Sequence, residues 1–321
     1  MRTIEITAMR PPHRRRLLAA VLATLMPCVA GAATLQVGAG RTYALPSAAA
    51  VAARDGDHVQ IAAGEYFDCA VWRANDLTVE GAGPDLTVIT DKVCQGKALF
   101  VTTGARITIR NLTLTRARVP DNNGAGIRAE GGDLTIDRVR FINDQDGILA
   151  VANPDATLVI RDSVFERNGT CEGGGSCAHG VYVNDLALLR IERTRFFETR
   201  QGHHIKSRAR RTEVIGCDIA DGGKGTSSYA IDVSNGGGVL VRDTRIEKGP
   251  NSENHTGAIV VGAEGVTQRT PDIVVENTTF RVDGDYPSFL VVNMTATEAR
   301  LTGNTLVGGG AKALHGDGSV E

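Results

Sequence analysis

The sequence predicts an all-β chain wound as a right-handed parallel β-helix, a solenoid of about nine or ten coils with a short N-terminal capping helix. Three observations carry this expectation. A short slot recurs as Gly126-Ile127-Arg128-Ala129, Gly147-Ile148-Leu149-Ala150, Gly180-Val181-Tyr182-Val183, Ala230-Ile231-Asp232-Val233 and Ala258-Ile259-Val260-Val261. Alternating stretches such as Leu134-Thr135-Ile136, Leu158-Val159-Ile160 and Ile273-Val274-Val275 follow, with the period of a strand that buries one face. An apolar residue then stands five positions on, as in Ile136 to Phe141, Ile160 to Phe165 and Ile191 to Phe196, whereas successive slots lie 21 to 33 residues apart. A fixed inner spacing inside a variable outer one means three short strands per coil and one tight, constant bend. Length differences collect in the loop before the first strand. One coil cannot bury its apolar face alone, but stacked coils can. A β-propeller needs a fourth strand per repeat, and a leucine-rich repeat needs a different signature.

Composition agrees. Aromatic residues make up 4% of the chain and there are 38 glycines, which suits aliphatic ladders and frequent turns. In chain order, residues 1–33 read as a secretory signal: Arg10, Arg14, Arg15 and Arg16 precede the apolar run Leu17 to Leu25, and Ala30-Gly31-Ala32 follows. That run is too short to span a bilayer, and no other stretch is apolar for long enough. A loose twin-arginine signal, or a lipoprotein box at Leu25-Met26-Pro27-Cys28, fits less well. Without its five Arg and one Glu, the rest carries 30 basic and 36 acidic residues, a net −6. No basic tract is present, so nucleic acid is a poor partner. Residues 34–57 are expected as an N-terminal cap, with a helix over 46–54 capped by Ser47 and followed by Gly56. The β-helix is expected over 58–310 and a C-terminal tail over 311–321. Asn111, Asp162, Asp243, Asn277 and Asn304 are expected at the constant bend. Cys171 and Cys177 flank a glycine-rich loop that a disulfide would close, Cys69 and Cys94 lie about one coil apart, and Cys217 is expected free and buried.

The opening Gly56-Asp57-His58-Val59-Gln60-Ile61-Ala62-Ala63-Gly64-Glu65-Tyr66, followed by such coils, resembles the pectate-lyase-like superfamily over nearly all of the chain after the signal. The resemblance implies the β-helix fold. Its activities range over pectate and alginate lyases, polygalacturonases, mannuronan epimerases and non-catalytic surface proteins, so it does not select one.

Chemistry concentrates at Gly202-His203-His204-Ile205-Lys206-Ser207-Arg208. Strand alternation sends Val71, Leu99, Ile127, Ile148, Val181, Ile205, Ile231, Ile259 and Leu290 inward. It sends Trp72, Phe100, Arg128, Leu149, Tyr182, Lys206, Asp232, Val260 and Val291 outward. Coils stack at about 4.8 Å, so Tyr182, Lys206 and Asp232 form a vertical triplet. His204 is expected outward among small residues, Asn184 lies above Arg208, and His179, His203 and Tyr229 edge the slot. Loops 166–178 and 249–257 are placed to wall a groove. Such a cluster suits proton abstraction next to a carboxylate, with Lys206 or His204 as base, Tyr182 as acid and Arg208 as carboxylate clamp. Asp232 is expected as a further catalytic group, Arg128, Asn184, His179, His203 and Tyr229 as substrate contacts, and Trp72 and Phe100 as a distal pair stacking on sugar rings. Hydrolysis needs two carboxyls about 5 to 9.5 Å apart, and Asp232 has no acidic neighbour in its column. Calcium needs clustered carboxylates, so no metal or other cofactor is expected. The expectation is an exported, periplasmic or extracellular monomer that acts on an acidic polysaccharide or oligosaccharide as a uronate lyase or epimerase. The alternative is a non-catalytic carbohydrate-binding or envelope structural protein, in which Lys206 and Asp232 are only a surface salt bridge.

Overall fold

A computed structural model describes residues 1–3, 31–172 and 176–321. The expected signal falls mainly on 4–30, outside the described residues. The coils lie in one compact unit, Ala32–Glu321.

Ile109, Ile136, Ile160, Ile191, Val214, Val241, Val275 and Leu301 pair in register from coil to coil and are buried, forming one aliphatic ladder. Five residues on, Phe141, Phe165 and Phe196 stack face to face with centroids 4.5 and 4.7 Å apart. Between the two ladders the chain turns on a left-handed residue: Asn111, Arg138, Asp162, Arg193, Asp243 and Asn277 have φ of 45 to 57°, and Gly216 and Gly303 take the same place with φ 63 and 66°. The bend therefore falls on Gly303 in the last full coil, one residue before the expected Asn304. The strands on both sides of this bend make a 20-stranded parallel sheet, and a ten-stranded parallel sheet closes each coil. The whole is a right-handed parallel β-helix of ten coils.

The helix Pro46–Ala52 covers the first coil. Ser47 is not its cap. Leu45 holds that position without a side-chain bond, and Asp68 Oδ2 accepts the Ser47 N–H at 2.8 Å. At the other end pairing continues past residue 310, through Ala311–His315 and Gly318–Val320. There the ladder residues Leu306 and Val320 are 40% and 57% exposed, so the last coil is uncovered among the described residues. Cys69–Cys94 and Cys171–Cys177 are bridged, and Cys217 is free and buried. No helix among the described residues is long and apolar enough to cross a membrane.

One part of the inward and outward assignment is corrected. In the ten-stranded sheet Ala70 pairs with Phe100, and Phe100 with Ile127. Phe100 thus shares the inward column of Ile127, and Trp72, two residues beyond Ala70, faces the same way. Both rings are fully buried and meet edge to face at 5.4 Å. They are core residues and cannot stack on sugar rings. A one-residue slip in register moves every side chain to the other face. The same slip applies at the far end, where Val291 pairs with Ile259, so Val292 rather than Val291 lies in the outward column.

Candidate functional site

In the middle of the sheet the expected register holds. Tyr182 pairs with Lys206, and Lys206 with Asp232. The three side chains leave the outer face of the strands Val181–Val183, Ile205–Ser207 and Ile231–Val233. Lys206 is only 7% exposed and Asp232 only 2%, so this is not a solvated surface pair. Lys206 Nζ lies 3.3 Å from Asp232 Oδ2 and donates to Glu264 Oε1 at 2.5 Å. Arg208 donates to Glu264 Oε2 at 2.6 Å, to Asn235 Oδ1 at 2.9 Å, and to the phenol oxygen of Tyr182. Asp232 Oδ2 accepts from the Ser234 hydroxyl at 2.6 Å, while Oδ1 is buried without a partner. Burial raises the Asp232 carboxyl above its ordinary value, against the pull of Lys206. Burial also acts to raise Glu264, but the Lys206 and Arg208 hydrogen bonds outweigh it and hold that carboxyl below its ordinary value.

Glu264 and Asn235 are the residues that sequence reasoning missed. Glu264 sits in the turn after the strand Gly257–Val261, and that turn folds back along Ser234 and Asn235: the Glu264 N–H reaches Ser234 O at 2.9 Å, and Thr267 and Gln268 both bond Asn235 O. Strand periodicity carries no signal for a turn of this kind. The only sequence hint is the glycine pair that brackets it, Gly262 and Gly265, with φ 88 and 91°.

The slot-edge residues form a ladder of their own. Asp146 Oδ1 accepts the His179 N–H at 2.6 Å, His179 Nδ1 the His203 N–H at 2.9 Å, and His203 Nδ1 the Tyr229 N–H at 3.1 Å. The His179, His203 and Tyr229 rings stack at 4.9 and 5.0 Å. An imidazole that accepts at Nδ1 carries its proton on Nε2. Burial pushes His203 down to about 3 and His179 well below its ordinary value, so both rings are neutral. The 3.4 Å approach of His203 Nε2 to Asp232 Oδ2 is therefore a contact of a neutral donor and not an ion pair.

His204 is corrected. It is fully buried, with Nε2 3.0 Å from Asp221 Oδ1 and Nδ1 2.7 Å from Thr199 Oγ1, and it faces Phe196. Alternation does not reach it, because the strand begins at Ile205 and residue 204 lies in the corner. Two glycines of its column border the same interior: a Cβ on Gly126 would strike Phe141, and one on Gly147 would strike Phe165. These two small residues make room for the phenylalanine stack and not for a ligand. Asn184 donates to Ala150 O and makes no bond to Arg208. Arg128 lies two coils before Tyr182 in the outward column, 3.5 Å from Glu130.

Together these residues line a groove of about 330 Å3. Its floor is Tyr182, Lys206, Arg208, His179 and His203, and its walls are Ser176, Cys177, Glu253 and Glu264. Both expected wall loops contribute. Chemically the groove offers two adjacent cations with a carboxylate bridging them, a phenol whose oxygen accepts from a guanidinium, and neutral imidazole donors.

No protein-family model matches the chain, and no curated protein is similar to it in sequence. Solved structures are similar in fold. An alginate lyase from Paenibacillus sp. str. FPU-7 is 16% identical over 88% of this chain and 99% of its own, with a TM-score of 0.56. The pectate lyase Pel9A is 12% identical over 92% and 80%, with a TM-score of 0.59. A pectin methylesterase from Aspergillus niger is 13% identical over 91% and 92%, with a TM-score of 0.50. What the chain shares with these structures is the fold, a right-handed parallel β-helix.

Proposed function

We propose that this is an exported protein that acts on an acidic polysaccharide as a uronate lyase or epimerase, and that the groove over Tyr182, Lys206 and Arg208 is its active site. One observation carries the reading. Lys206 and Arg208 together grip a single carboxylate, that of Glu264, beside the Tyr182 oxygen. A sugar carboxylate seated in its place would have its neighbouring carbon next to Tyr182. The three similar structures, two of them lyases of acidic polysaccharides by name, support the substrate class.

The chemistry is loss of a proton from the carbon next to the carboxylate. The electron pair left behind is held as an enolate, and Lys206 and Arg208 lie against the carboxylate oxygens where that charge gathers. Lys206 donates to both Asp232 and Glu264, so its part is electrostatic. Tyr182 is the proton-transfer group, because the Arg208 hydrogen bond stabilises negative charge on the phenol oxygen. His204 is sealed inside the stack and takes no part, and His179 and His203 offer only Nε2–H donors. In a lyase the pair expels the glycosidic oxygen, which takes up the proton that Tyr182 removed, and a double bond conjugated to the carboxylate is left. In an epimerase water supplies a proton to the other face, and Tyr182 gives its proton back to solvent. All of these groups come from one chain, so a monomer suffices.

A second reading, a non-catalytic carbohydrate-binding protein, is favoured by the ion pairs that already satisfy both cations. Turnover decides between them. Alginate, polygalacturonate and other uronate polymers are incubated with the protein, with near-ultraviolet absorbance reporting unsaturated ends and NMR reporting inverted sugars. Wild type is expected to turn over one of them, and Tyr182→Phe to lose about 10²- to 10⁴-fold in rate. A wild type that converts none of them, yet binds one, would replace this reading with the second.

A further inference from the structure

A larger groove, about 550 Å3, opens along the corner where the loops enter the ten-stranded sheet. It extends from Arg118, before the strand Ala125–Ala129, to Asn251, before Gly257–Val261. That is five coil steps, roughly 24 Å. Thr170 and Glu172 line this groove, and Ser176 and Cys177 line the candidate active site. Glu253 also borders both.

Three cations line the corner groove: Arg118, Arg200 and Lys224. Among the described residues none of them lies in an ion pair. Arg118 and Arg200 instead converge on one neutral acceptor, donating to Asn143 Oδ1 at 2.8 and 2.9 Å. Two guanidiniums held on one amide oxygen repel each other, and an anion between them would relieve that repulsion. The carboxyl beneath them does not supply the missing charge. Burial pushes Asp144 up to about 8, so at neutral pH it is largely protonated. Glu172 and Glu253 also face the groove, which leaves one positive charge in excess. Alongside the cations, Gln201, Thr226 and Asn251 line the groove, one from each of three successive coils. Gln201 Oε1 and Thr226 Oγ1 accept from the Cys171 and Gln201 N–H groups, and Asn251 Nδ2 donates to Gly223 O. That leaves the Gln201 amino group, the Thr226 hydroxyl proton and the Asn251 carbonyl for a ligand.

We propose that this corner groove is a second binding site, for a further stretch of an acidic polysaccharide strand. Arg118, Arg200 and Lys224 would take its carboxylates, and the amide and hydroxyl ladder its sugar hydroxyls. The proposal rests on the acidic-polymer reading above and adds a second site to it. The sugar length that one strand needs to fill both grooves is longer than either groove alone accepts.

The test uses the full-length protein and the double variant Arg118→Ala/Arg200→Ala. Both side chains are exposed, so the melting temperature is expected to stay at the wild-type value. Binding of alginate and polygalacturonate is measured by calorimetry at low and moderate salt, with dextran as the neutral control. The double variant is expected to bind the preferred polymer about tenfold more weakly at low salt, with a smaller salt dependence. Its turnover of the shortest oligomer that wild type cleaves is expected to be unchanged. Equal polymer affinity in wild type and variant overturns the second site and leaves the active-site reading standing. A wild type that binds no acidic polymer overturns both.

Discussion

Lys206 shows how a side chain can be placed correctly by its sequence position and still be misjudged in its energetics. Its column with Tyr182 and Asp232 was legible, because parallel register and alternation suffice to stack three outward residues. Its burial was not legible, because that depends on Glu264, which a turn carries back from the coil after Asp232. The consequence is measurable. An exposed lysine could be removed without harm, but removing Lys206 leaves Asp232 buried with Oδ1 unpartnered and its cation gone. Lys206→Ala is therefore expected to cost about 3 kcal/mol in urea unfolding, and Asp232→Asn in the same chain to recover most of it. Full stability in the single variant would return the pair to the class of surface salt bridges. His204 was misplaced for a related reason. Alternation is a property of strands, and His204 is a corner residue one place short of its strand.

At the scale of elements, the constant bend was the most legible feature, since a fixed spacing of five allows only one turn geometry. The sequence marks it with Asn or Asp in some coils, but Arg138 and Arg193 occupy the same left-handed position with φ 52 and 45°. Neither is a residue that favours it. Each leans on the bend residue of the preceding coil, Arg138 on Asn111 and Arg193 on Asp162, both at 2.8 Å. A Cβ in this conformation costs about 1 to 2 kcal/mol, and a branched one suffers most. Arg138→Gly is expected to unfold within about 0.5 kcal/mol of wild type, because relief of the backbone offsets the lost exposed contact. Arg138→Val is expected to be about 1 to 2 kcal/mol less stable than Arg138→Gly. Equal urea midpoints for the two would show that the bend is not conformationally demanding. The register at Trp72 and Phe100 was harder to read. Two adjacent apolar residues in each strand fit either face, and only the pairing of Phe100 with Ile127 decides between them.

For the whole molecule, the buried ionisable groups set the pH dependence of folding. Burial pushes Asp144 up to about 8 and Asp146 well above its ordinary value. Each therefore adds stability that is complete below the ordinary carboxyl value and is lost as pH rises, for Asp144 as pH approaches 8. His179 and His203, pushed below 6.5, act oppositely: folding keeps them neutral, so stability falls as pH drops below 6.5. The two effects oppose each other in mild acid. Between about pH 6.5 and 8 the Asp144 contribution is being lost, and stability is expected to fall by up to about 1.4 kcal/mol per pH unit from it, offset near the top of the window by Lys248, which burial pushes down to about 8. Asp144→Asn is expected to flatten that slope in melts across this window. A wild type equally stable at both ends of the window would show that these carboxyls are ionised in the fold. The bridging carboxylate of Glu264 also matters at this scale, because it is a resident occupant that any anionic ligand must evict. A tethered group of this kind competes at an effective concentration in the millimolar range, so a lone sugar acid meets a rival that never diffuses away. The polymer proposed as ligand would bring its own high local concentration of carboxylates, and the contest at this groove would be one of valence as much as of fit.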